Sequence, residues 1–429
     1  MKAPHPSRSP WSFPIRGDRC PRDAAATRFA GYHKGLSVKF LSLNAQKLLL
    51  PLGALSMLLL LSCGGSPTAS PDNSSSSIRA PDSHAEPESA PAATPPRVAE
   101  GQPKEPTAPA DEISEDDSAT PSLEVAAAGP LSDAQRAVFW GSLDDEVPEV
   151  LNAVKRENYD THFLSSDELH QDLFADKIAN LGGGYIGVGT DQCWLFMGWQ
   201  KPSLAWLADY DRWVVALHWA YIAFFDRSTS IDEFISYWAK DNAKDAIAVL
   251  SAEYADRQDR KLIIQVYREA RHKVARRLRR IVTMGKRKRP NFLTDLAQFT
   301  YLKTMIEEGR VRPLVGNMLA ENGYAGMGES ANKLGVVIRH LYLSNAEDYW
   351  PYRDVFRSNM RGLPADAQSV VSRARASKPT NKDYRYMQQP LQLFTRWLDT
   401  GVDRCRDMWR SRPVAEDEFP YTWFTKEPK

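Results

Sequence analysis

The sequence predicts an α/β fold in which a sheet is flanked by helices. Three consecutive segments indicate this class: an apolar strand that runs into a glycine turn at 183–189, a helix from Asp191 to Met197, and a second apolar strand at 204–209. Strand, turn, helix and strand in this order form a βαβ unit, which opens the Rossmann-like sheets of nucleotide-binding proteins. We therefore predict a Rossmann-like sheet.

The glycine turn has the composition of a nucleotide-binding turn. Gly187 and Gly189 allow positive φ angles and let a ligand approach the backbone amides without a Cβ in the way. The next helix points its partly positive N-terminus at the same place. Asp209, about twenty residues after the turn, ends the second strand, where a carboxylate can accept hydrogen bonds from both ribose hydroxyls. The alternative for a G-x-G sequence is an ordinary turn.

Three stretches of the chain resemble a known family. They are Gly-Gly-Gly-Tyr-Ile-Gly-Val-Gly-Thr-Asp-Gln at 182–192, the acidic run that ends at Asp211, and Leu-Tyr-Leu-Ser-Asn-Ala-Glu-Asp-Tyr at 341–349. They resemble a little-characterised bacterial family that has a class I S-adenosylmethionine-dependent methyltransferase-like core and no settled substrate. The resemblance covers roughly residues 150–400, and the Gly-Val-Gly-x-x-Gln turn is its most specific part.

The resemblance implies S-adenosylmethionine as the cofactor and a set of cofactor-binding residues, while it assigns no catalytic residue. The set comprises Gly187 and Gly189 at the methionine part, Gln192 as the last residue of the turn, Asp209 or Asp211 at the ribose, Asn317 at the adenine edge, and Asn345 at the mouth where methyl transfer would occur.

Two positions depart from the pattern of that family. Ordinary methyltransferases have an acid near the start of the glycine motif and a third glycine at its end, where this chain has Tyr185 and Asp191. A carboxylate at Asp191 would repel the carboxylate of the cofactor. Cofactor binding therefore requires that Asp191 faces away or is paired.

Three further strands are predicted after the βαβ unit. The third, at 311–317, contains Pro313, which favours an edge position or an irregular start because proline has no N–H for the ladder. The fourth strand covers 335–343, and the fifth lies at about 368–373. Residues 387–397 either complete the sheet or form a terminal helix.

The carboxyl ends of these strands give the expected location of the site. In open α/β sheets ligands bind at the carboxyl ends of the strands. Gly187, Asp209, Asn317 and Asn345 follow or end four different strands. We therefore expect these four residues to converge on one crevice.

Helices are predicted on both sides of the βαβ unit. Ser132 begins a capped helix, and Ser165, three residues before Glu168, has the pattern of a capping box that opens a second helix. Residues 213–225 are apolar nearly all round and predict a buried helix. Residues 228–308 have helical periodicity, so we predict a helical insertion between the second and third strands, which either overhangs the cofactor pocket or braces the fold.

The beginning of the chain predicts export and a lipid anchor. The apolar stretch 48–61 is too short to span a bilayer but suits a secretory signal, and the residues just before Cys63 resemble a lipobox. Residues 1–62 are therefore predicted to be an upstream extension and a removed lipoprotein signal peptide, with translation starting near Val38. Acylated Cys63 would hold the protein at the cell envelope, on the periplasmic face of the outer membrane or at the cell surface.

Residues 63–130 predict a disordered tether. They are rich in Ser, Pro, Ala, Asp and Glu and contain no Phe, Trp or Tyr. Such a segment buries too little apolar surface to offset its chain entropy. The alternative function for it is a proline-rich partner site. The α/β domain is predicted to occupy 131–429.

Two of the four cysteines fall in the predicted domain. Cys20 precedes the cleavage site and Cys63 is the lipid site, which leaves Cys193 and Cys405. In an oxidising periplasm these two either form one disulfide or stay apart. Cys193 follows the glycine turn, so it is either a reactive thiolate at a helix N-terminus or a small buried residue that faces the sheet.

The segment from Arg268 to Arg289 is strongly basic, although the net charge of the chain is only +1. As an amphipathic helix it is predicted to contact anionic lipid, at about 1 kcal/mol for each cation near the surface. The predicted lipid contacts are Arg271, Arg276, Arg277, Arg280, Lys286, Arg287, Lys288 and Arg289. Nucleic acid is not expected as a partner of an exported lipoprotein, and a solvated helix face is the alternative.

Several common catalytic motifs are missing from the sequence. It contains no H-E-x-x-H, paired C-x-x-C, G-x-S-x-G or G-x-x-x-x-G-K-[ST], so the commonest metalloprotease, zinc, serine-hydrolase and phosphate-loop functions are excluded and no metal is predicted. Two functions stay open. The protein is either a lipid-anchored methyltransferase-like protein that binds S-adenosylmethionine, or a non-catalytic envelope binding or structural protein with the same fold.

Overall fold

The computed structural model describes residues 123–152, 156–375, 383–408 and 421–429. The signal peptide, the lipidation of Cys63 and the tether up to residue 122 are predictions that lie outside these residues. Residues 123–130, assigned to the tether by composition, lie against the folded domain. The backbone N–H of Val125 donates to the carbonyl of Leu334 at 3.2 Å, and Arg310 donates to the carbonyl of Ala126 at 3.0 Å.

The described residues form one seven-stranded, mostly parallel sheet. Its strands are β1 (Gly184–Val188), β2 (Leu204–Asp209), β3 (Val311–Val315), β4 (Ile338–Ser344), β5 (Val370–Arg375), β6 (Arg385–Pro390) and β7 (Tyr421–Trp423). Their order across the sheet is β3-β2-β1-β4-β5-β6-β7. Strands β1 to β5 are parallel, β6 is antiparallel to β5, and β7 is parallel to β6. The predicted α/β class is confirmed.

Helices flank this sheet. In the described residues they are α1 (Asp133–Gly141), α2 (Ala175–Ile178), α3 (Asp191–Gln200), α4 (Arg212–Arg227), α5 (Ile231–Ser236), α6 (Ala243–Glu253), α7 (Arg260–Arg287), α8 (Leu296–Glu307), α9 (Gly323–Lys333), α10 (Asp354–Arg361), α11 (Leu391–Leu398) and α12 (Cys405–Met408). Turns of 3₁₀ helix lie at Arg156–Asn158, Gln171–Phe174 and Ala346–Tyr349. None of the helices in this part of the chain is long and apolar enough to cross a membrane.

The predicted βαβ unit is present as β1, α3 and β2. Every residue of β1 and β2 is buried, as expected for parallel strands that are covered on both faces. Strand β3, which contains Pro313, lies at one edge of the sheet, as its proline predicts. Its outer side is partly covered, since the N–H of Asp145 donates to the carbonyl of Val315 at 2.8 Å. Residues 387–397 both extend the sheet and form a helix, because β6 is followed directly by α11.

Alternate side chains of β1 lie in two hydrophobic cores, one on each face of the sheet. Tyr185 belongs to the core formed with α3, α4, α7 and α8. Ile186 belongs to the core formed with α1, α9, α10 and α11. The sheet is thus a central layer that fixes the position of the loops at its carboxyl edge.

The helical insertion between β2 and β3 is present, and it consists of α5 to α8 after the buried helix α4. Its longest member, α7, has 28 residues, which corresponds to a length of about 42 Å. It packs along α4, where the rings of Tyr267 and Phe224 meet edge to face at 5.5 Å. The insertion braces the α4 side of the sheet.

The helix predicted to open at Ser165 does not form. The nearest helical residues begin at Gln171, with a 3₁₀ turn that leads into α2. Glu168 does not cap a helix: its carboxylate is buried and accepts hydrogen bonds from Tyr342 at 2.6 Å and Ser344 at 2.8 Å. The capping pattern was misleading because a partner on a distant strand occupies this carboxylate.

Candidate functional site

A pocket opens at the carboxyl ends of β1, β2 and β4. The strand order changes direction here, because the chain adds β2 and β3 on one side of β1 and then returns to add β4 on the other. The cavity measures about 190 Å³. Its walls are formed by Asn152, Asn158, Phe163, Ser165, Ser166, Asp167, Glu168, Val188, Gly189, Thr190, Gln192, Asp209, Tyr210, Asp211, Val214, Ser344, Asn345, Ala346, Tyr349, Trp350 and Tyr384.

The helical insertion does not overhang this pocket. No described residue of α5 to α8 is part of the walls. One wall is formed instead by residues 163–168, in the irregular segment that precedes α2. This segment was not among the predicted site residues, because its capping pattern predicted the start of a helix and not the end of a strand.

The glycine turn between β1 and α3 contains a residue with a positive φ angle. Gly189 has a φ of +91°, in the region where only glycine is unstrained, and a Cβ there would overlap the side-chain amide of Gln192. The Gln192 amide closes the turn, since its Oε1 accepts from the N–H of Thr190 at 3.1 Å. Gly189 and Gln192, two of the predicted cofactor-binding residues, both line the pocket.

Gly187 has a different role from the predicted one. It is not among the walls of the pocket, and a Cβ at this position would overlap the hydroxyl of Tyr185. Tyr185 is fully buried. Gly187 thus provides the space for this tyrosine below the turn.

Asp209 faces the glycine turn at the end of β2. Its Oδ2 accepts from the N–H of Gly189 at 3.1 Å, and its Oδ1 accepts from the N–H of Asp211 at 2.9 Å. Burial raises the pKa of Asp209 to about 7, against the opposing effect of these amide hydrogen bonds. The predicted juxtaposition of glycine turn and carboxylate is therefore present in the structure.

Asp211 lies next to Asp209 but has different partners. It caps α4 by accepting from the N–H of Trp213 at 2.9 Å, and it also accepts from Nδ1 of His162 at 2.9 Å. The His162 ring stacks on Trp213, with centroids 4.1 Å apart. His162 was missed from the sequence, because nothing in the local pattern connects it with an aspartate 49 residues later.

Asn345 follows β4 at the opposite side of the pocket. Ser344, the last residue of β4, has a φ of +53°, which turns the chain sharply there. Ser344 donates to Glu168, and the side-chain amide of Asn345 donates to the hydroxyl of Tyr349 at 3.4 Å. Burial is the main cause that raises the pKa of Glu168.

Asn317 does not join the other predicted residues. It is not part of the walls of the pocket. Its side-chain oxygen accepts from the N–H of Leu319 at 2.9 Å, and its backbone N–H donates to Asp145 at 2.8 Å. The expected convergence thus holds for Asp209 and Asn345, and it is wrong for Gly187 and Asn317. The side chain of Asn317 is instead engaged in the turn that follows β3, through its hydrogen bond with Leu319.

Asp191, the first residue of α3, is both buried and paired. Its Oδ2 accepts from Nε of Arg277 at 2.6 Å, and its Oδ1 accepts from the N–H of Ser166 at 2.9 Å. Arg277 also donates to the carbonyl of Glu168 at 2.8 Å and to the side chain of Gln171. This pair attaches the 166–171 segment, part of which forms a pocket wall, to the glycine turn.

Arg277 is therefore not a lipid contact as predicted, because its side chain is 2% exposed. The sequence contained a signal for this burial. Arg277 is three residues after Val274 and four before Ile281, and both of these are buried. Helical periodicity thus places Arg277 on the inner face of α7.

The two cysteines of the domain are both buried and free, so they do not form a disulfide. Burial raises the pKa of the Cys193 thiol, so it is not a reactive thiolate. The alternative prediction, a small buried residue, therefore describes Cys193. The described residues contain no group of His, Cys, Asp and Glu side chains that could hold a metal ion.

Comparison with known proteins identifies one family. The domain described as a domain of unknown function, DUF7790, matches residues 163–418, which include β1 to β6 and most of the pocket. No curated protein matches the chain.

Proposed function

Because the chain belongs to the DUF7790 family, whose description leaves its function open, we propose a function from the pocket itself. We infer that the pocket binds a nucleoside-containing ligand, S-adenosylmethionine or a related nucleoside, in a Rossmann-like, methyltransferase-like fold. The observation that carries this proposal is the position of Asp209 across the glycine turn, 3.1 Å from the N–H of Gly189 and within the pocket wall.

The strand order supports this location. The order β3-β2-β1-β4-β5 is that of Rossmann-type sheets, in which ligands bind at the point where the order reverses. The pocket occupies this point, at the ends of β1, β2 and β4. A Rossmann-like relationship follows as a proposal from the topology together with the resemblance of the 182–192 turn.

The residues at the pocket fit a nucleoside. A carboxylate offers roughly four acceptor positions, and Asp209 uses one on each oxygen for a backbone amide, so each oxygen can accept a ribose hydroxyl as well. Arg277 pairs with Asp191, so this acid does not repel a ligand carboxylate. S-adenosylmethionine, when bound, supplies a methyl group on a sulfonium. Asn345 also lines the pocket, and we propose that an acceptor enters on its side.

Thermal unfolding of the full chain tests the proposal. Either S-adenosylmethionine or adenosine at one hundred times its dissociation constant is expected to raise the free energy of unfolding by about 2.7 kcal/mol. Asp209→Asn should abolish this increase, whereas Asp399→Asn, at an exposed ion pair with Arg361, should retain it. If neither nucleoside at millimolar concentration shifts the unfolding temperature, the proposal is wrong, and the non-catalytic alternative without a nucleoside is preferred.

We also propose that the protein is a lipid-anchored envelope protein, on the lipobox-like sequence before Cys63. The folded domain begins at about residue 123, so roughly 60 residues separate it from the anchor. Labelling of cells with a fatty-acid analogue should mark the wild-type chain and not the Cys63→Ala variant. Equal labelling of the two would contradict the anchor.

We propose that the outer face of α7 contacts anionic lipid, because basic side chains are exposed there. Of the predicted lipid contacts, five are exposed, and we call these five the basic stripe: Arg276, Arg280, Lys286, Arg287 and Lys288. Arg271 and Arg289 are half-buried. Two basic side chains at its end already have acidic partners, because Lys288 pairs with Asp172 at 3.1 Å and Arg289 pairs with Asp176. The cations without such an ion pair in the described residues are therefore the stronger candidates.

Liposome sedimentation tests the basic stripe. Vesicles with phosphatidylglycerol should pellet the full chain, and replacement of Arg276, Arg280, Lys286 and Arg287 by Gln should remove most of this binding, at about 1 kcal/mol for each cation. Phosphatidylcholine vesicles serve as the neutral control. Equal binding to both lipids, or an unchanged pellet with the variant, would contradict lipid contact, and tighter binding to a short RNA would assign the stripe to nucleic acid.

A further inference from the structure

Acidic, amide and tyrosine side chains form the side of the pocket next to β4. We call it the β4 end and define it by Asp167, Glu168, Asn345, Tyr349 and Tyr384, which all line the cavity. The hydroxyl of Tyr384 donates to Asp167 Oδ2 at 2.9 Å, and Asn345 donates to the hydroxyl of Tyr349. These bonds orient the two rings beside an exposed carboxylate.

Acidic side chains line the pocket, and one of them, Asp167, is exposed. Four carboxyl groups are part of its walls, Asp167 and Glu168 at the β4 end and Asp209 and Asp211 at the end of β2, whereas no lysine, arginine or histidine of the described residues is. Phosphate ligands usually require cations or a free helix N-terminus. Here the N-terminus of α3 already contains the carboxylate of Asp191. The pocket is thus unfavourable for phosphate, and the exposed carboxylate of Asp167 makes its β4 end favourable for a cation.

Aromatic rings form much of the remaining wall. They are Phe163, Tyr210, Tyr349, Trp350 and Tyr384. Phe163 is 56% exposed and Tyr349 is 37% exposed, so large apolar surfaces stand open at the rim where a ligand could cover them. The faces of aromatic rings attract organic cations. Charge and ring chemistry therefore indicate the same class of ligand.

We propose that the β4 end of the pocket binds an organic ammonium group, that is, an alkylamine or a quaternary ammonium ligand. The location rests on the proposed function, because the β4 end is the part of the cavity that a nucleoside held by Asp209 leaves open. Asp167 supplies the negative charge, and Tyr349 and Tyr384 supply the ring faces. The proposal concerns binding and requires no covalent step.

Three small probes of equal size test this proposal with the full chain. Ligand-observed NMR at low ionic strength should show binding of n-butylammonium, and no binding of n-butanol or n-butanoate. Asp167→Asn keeps an acceptor for the Tyr384 hydroxyl but removes the charge, so it should weaken n-butylammonium binding at least about fivefold. The matched control Asp399→Asn should bind the ammonium probe as the wild type does.

The outcomes separate this inference from the proposed function. Failure of n-butylammonium to bind, equal binding of n-butanoate, or an unchanged affinity in Asp167→Asn would each overturn the ammonium site. Nucleoside binding that persists in those cases leaves the proposed function intact. Conversely, ammonium binding without any nucleoside effect would support the ammonium site and contradict the proposed function.

Discussion

Asp191 and Asp209 are two buried aspartates beside the same glycine turn, and their surroundings are opposite. Asp191 is fully buried and pairs with the guanidinium of Arg277 at 2.6 Å. Asp209 is 7% exposed, lines the pocket and accepts from the backbone amides of Gly189 and Asp211. The first carboxylate has a full countercharge, whereas the second has only amide dipoles.

This difference shows how the two acids divide their roles. A buried carboxylate with a charged partner stabilises the fold, and the Asp191 ion pair connects α3, α7 and the 166–171 segment. A buried carboxylate without a cation keeps its proton more readily and has acceptor capacity left for a ligand. The identity of the partner, and not the burial of the acid, thus separates the structural group from the candidate binding group.

The largest expected effect comes from breaking the charged pair. Asp191→Asn leaves the guanidinium of Arg277 buried without its carboxylate, so the free energy of unfolding should fall by about 3–5 kcal/mol. Urea denaturation of the full chain measures this loss. The double variant Asp191→Leu with Arg277→Met removes both charges and should lose less. An Asp191→Asn variant as stable as the wild type would show that the ion pair does not stabilise the fold.

The second prediction concerns Asp209 and pH. Its pKa is about 7 in the folded protein and 3.8 ordinarily, so the folded state holds this proton more tightly than the unfolded chain. The stability that it contributes is fully present below about pH 4 and is lost as the pH rises to about 7, by up to about 4 kcal/mol. Urea denaturation from pH 4 to 8 should therefore show a decline that Asp209→Asn flattens, and equal slopes in both proteins would refute the assignment.

The third prediction tests the turn that separates the two acids. Gly189→Ala places a Cβ at a φ of +91° and against Gln192, which should cost about 1–3 kcal/mol of stability. Because Gln192 must move, nucleoside binding should weaken as well. Thermal unfolding with and without adenosine measures both effects. An alanine variant that binds adenosine as the wild type does would remove the turn from the site.

The smallest effect is expected at Arg276, the neighbour of the buried arginine. Its side chain is exposed on the basic stripe, so Arg276→Gln should change the free energy of unfolding by no more than about 0.5 kcal/mol. Arg277→Gln, one position later, should approach the loss seen for Asp191→Asn. Urea denaturation of the two variants compares them directly. Similar values would mean that burial does not distinguish these two arginines.

The central strands of the sheet can be predicted from the sequence because each one has a local pattern of apolar residues. β1 and β2 are continuous apolar runs, and Pro313 indicates an edge without any knowledge of the neighbouring strand. The position of Asp209 opposite the glycine turn follows from the regular spacing of a βαβ unit. Local periodicity and turn chemistry were sufficient for these features.

The rest of the site depends on contacts between distant parts of the chain. Glu168 receives its hydrogen bonds from Tyr342 and Ser344, on a strand that follows 174 residues later. The segment that contains it has no periodicity, so the wall of the pocket could not be read from the sequence. Asn317 was misplaced for another reason, because the sequence indicates the end of β3 but not the hydrogen bond with Leu319 that engages the Asn317 side chain.

The edge strand β3 has a consequence for the protein in concentrated surroundings. An open edge offers unpaired backbone groups to a strand from another molecule, which is how sheets aggregate. Pro313 has no N–H to contribute, and Asp145 already occupies the carbonyl of Val315. A foreign strand that docks here finds an interrupted ladder, so this edge of the described sheet is protected against strand addition.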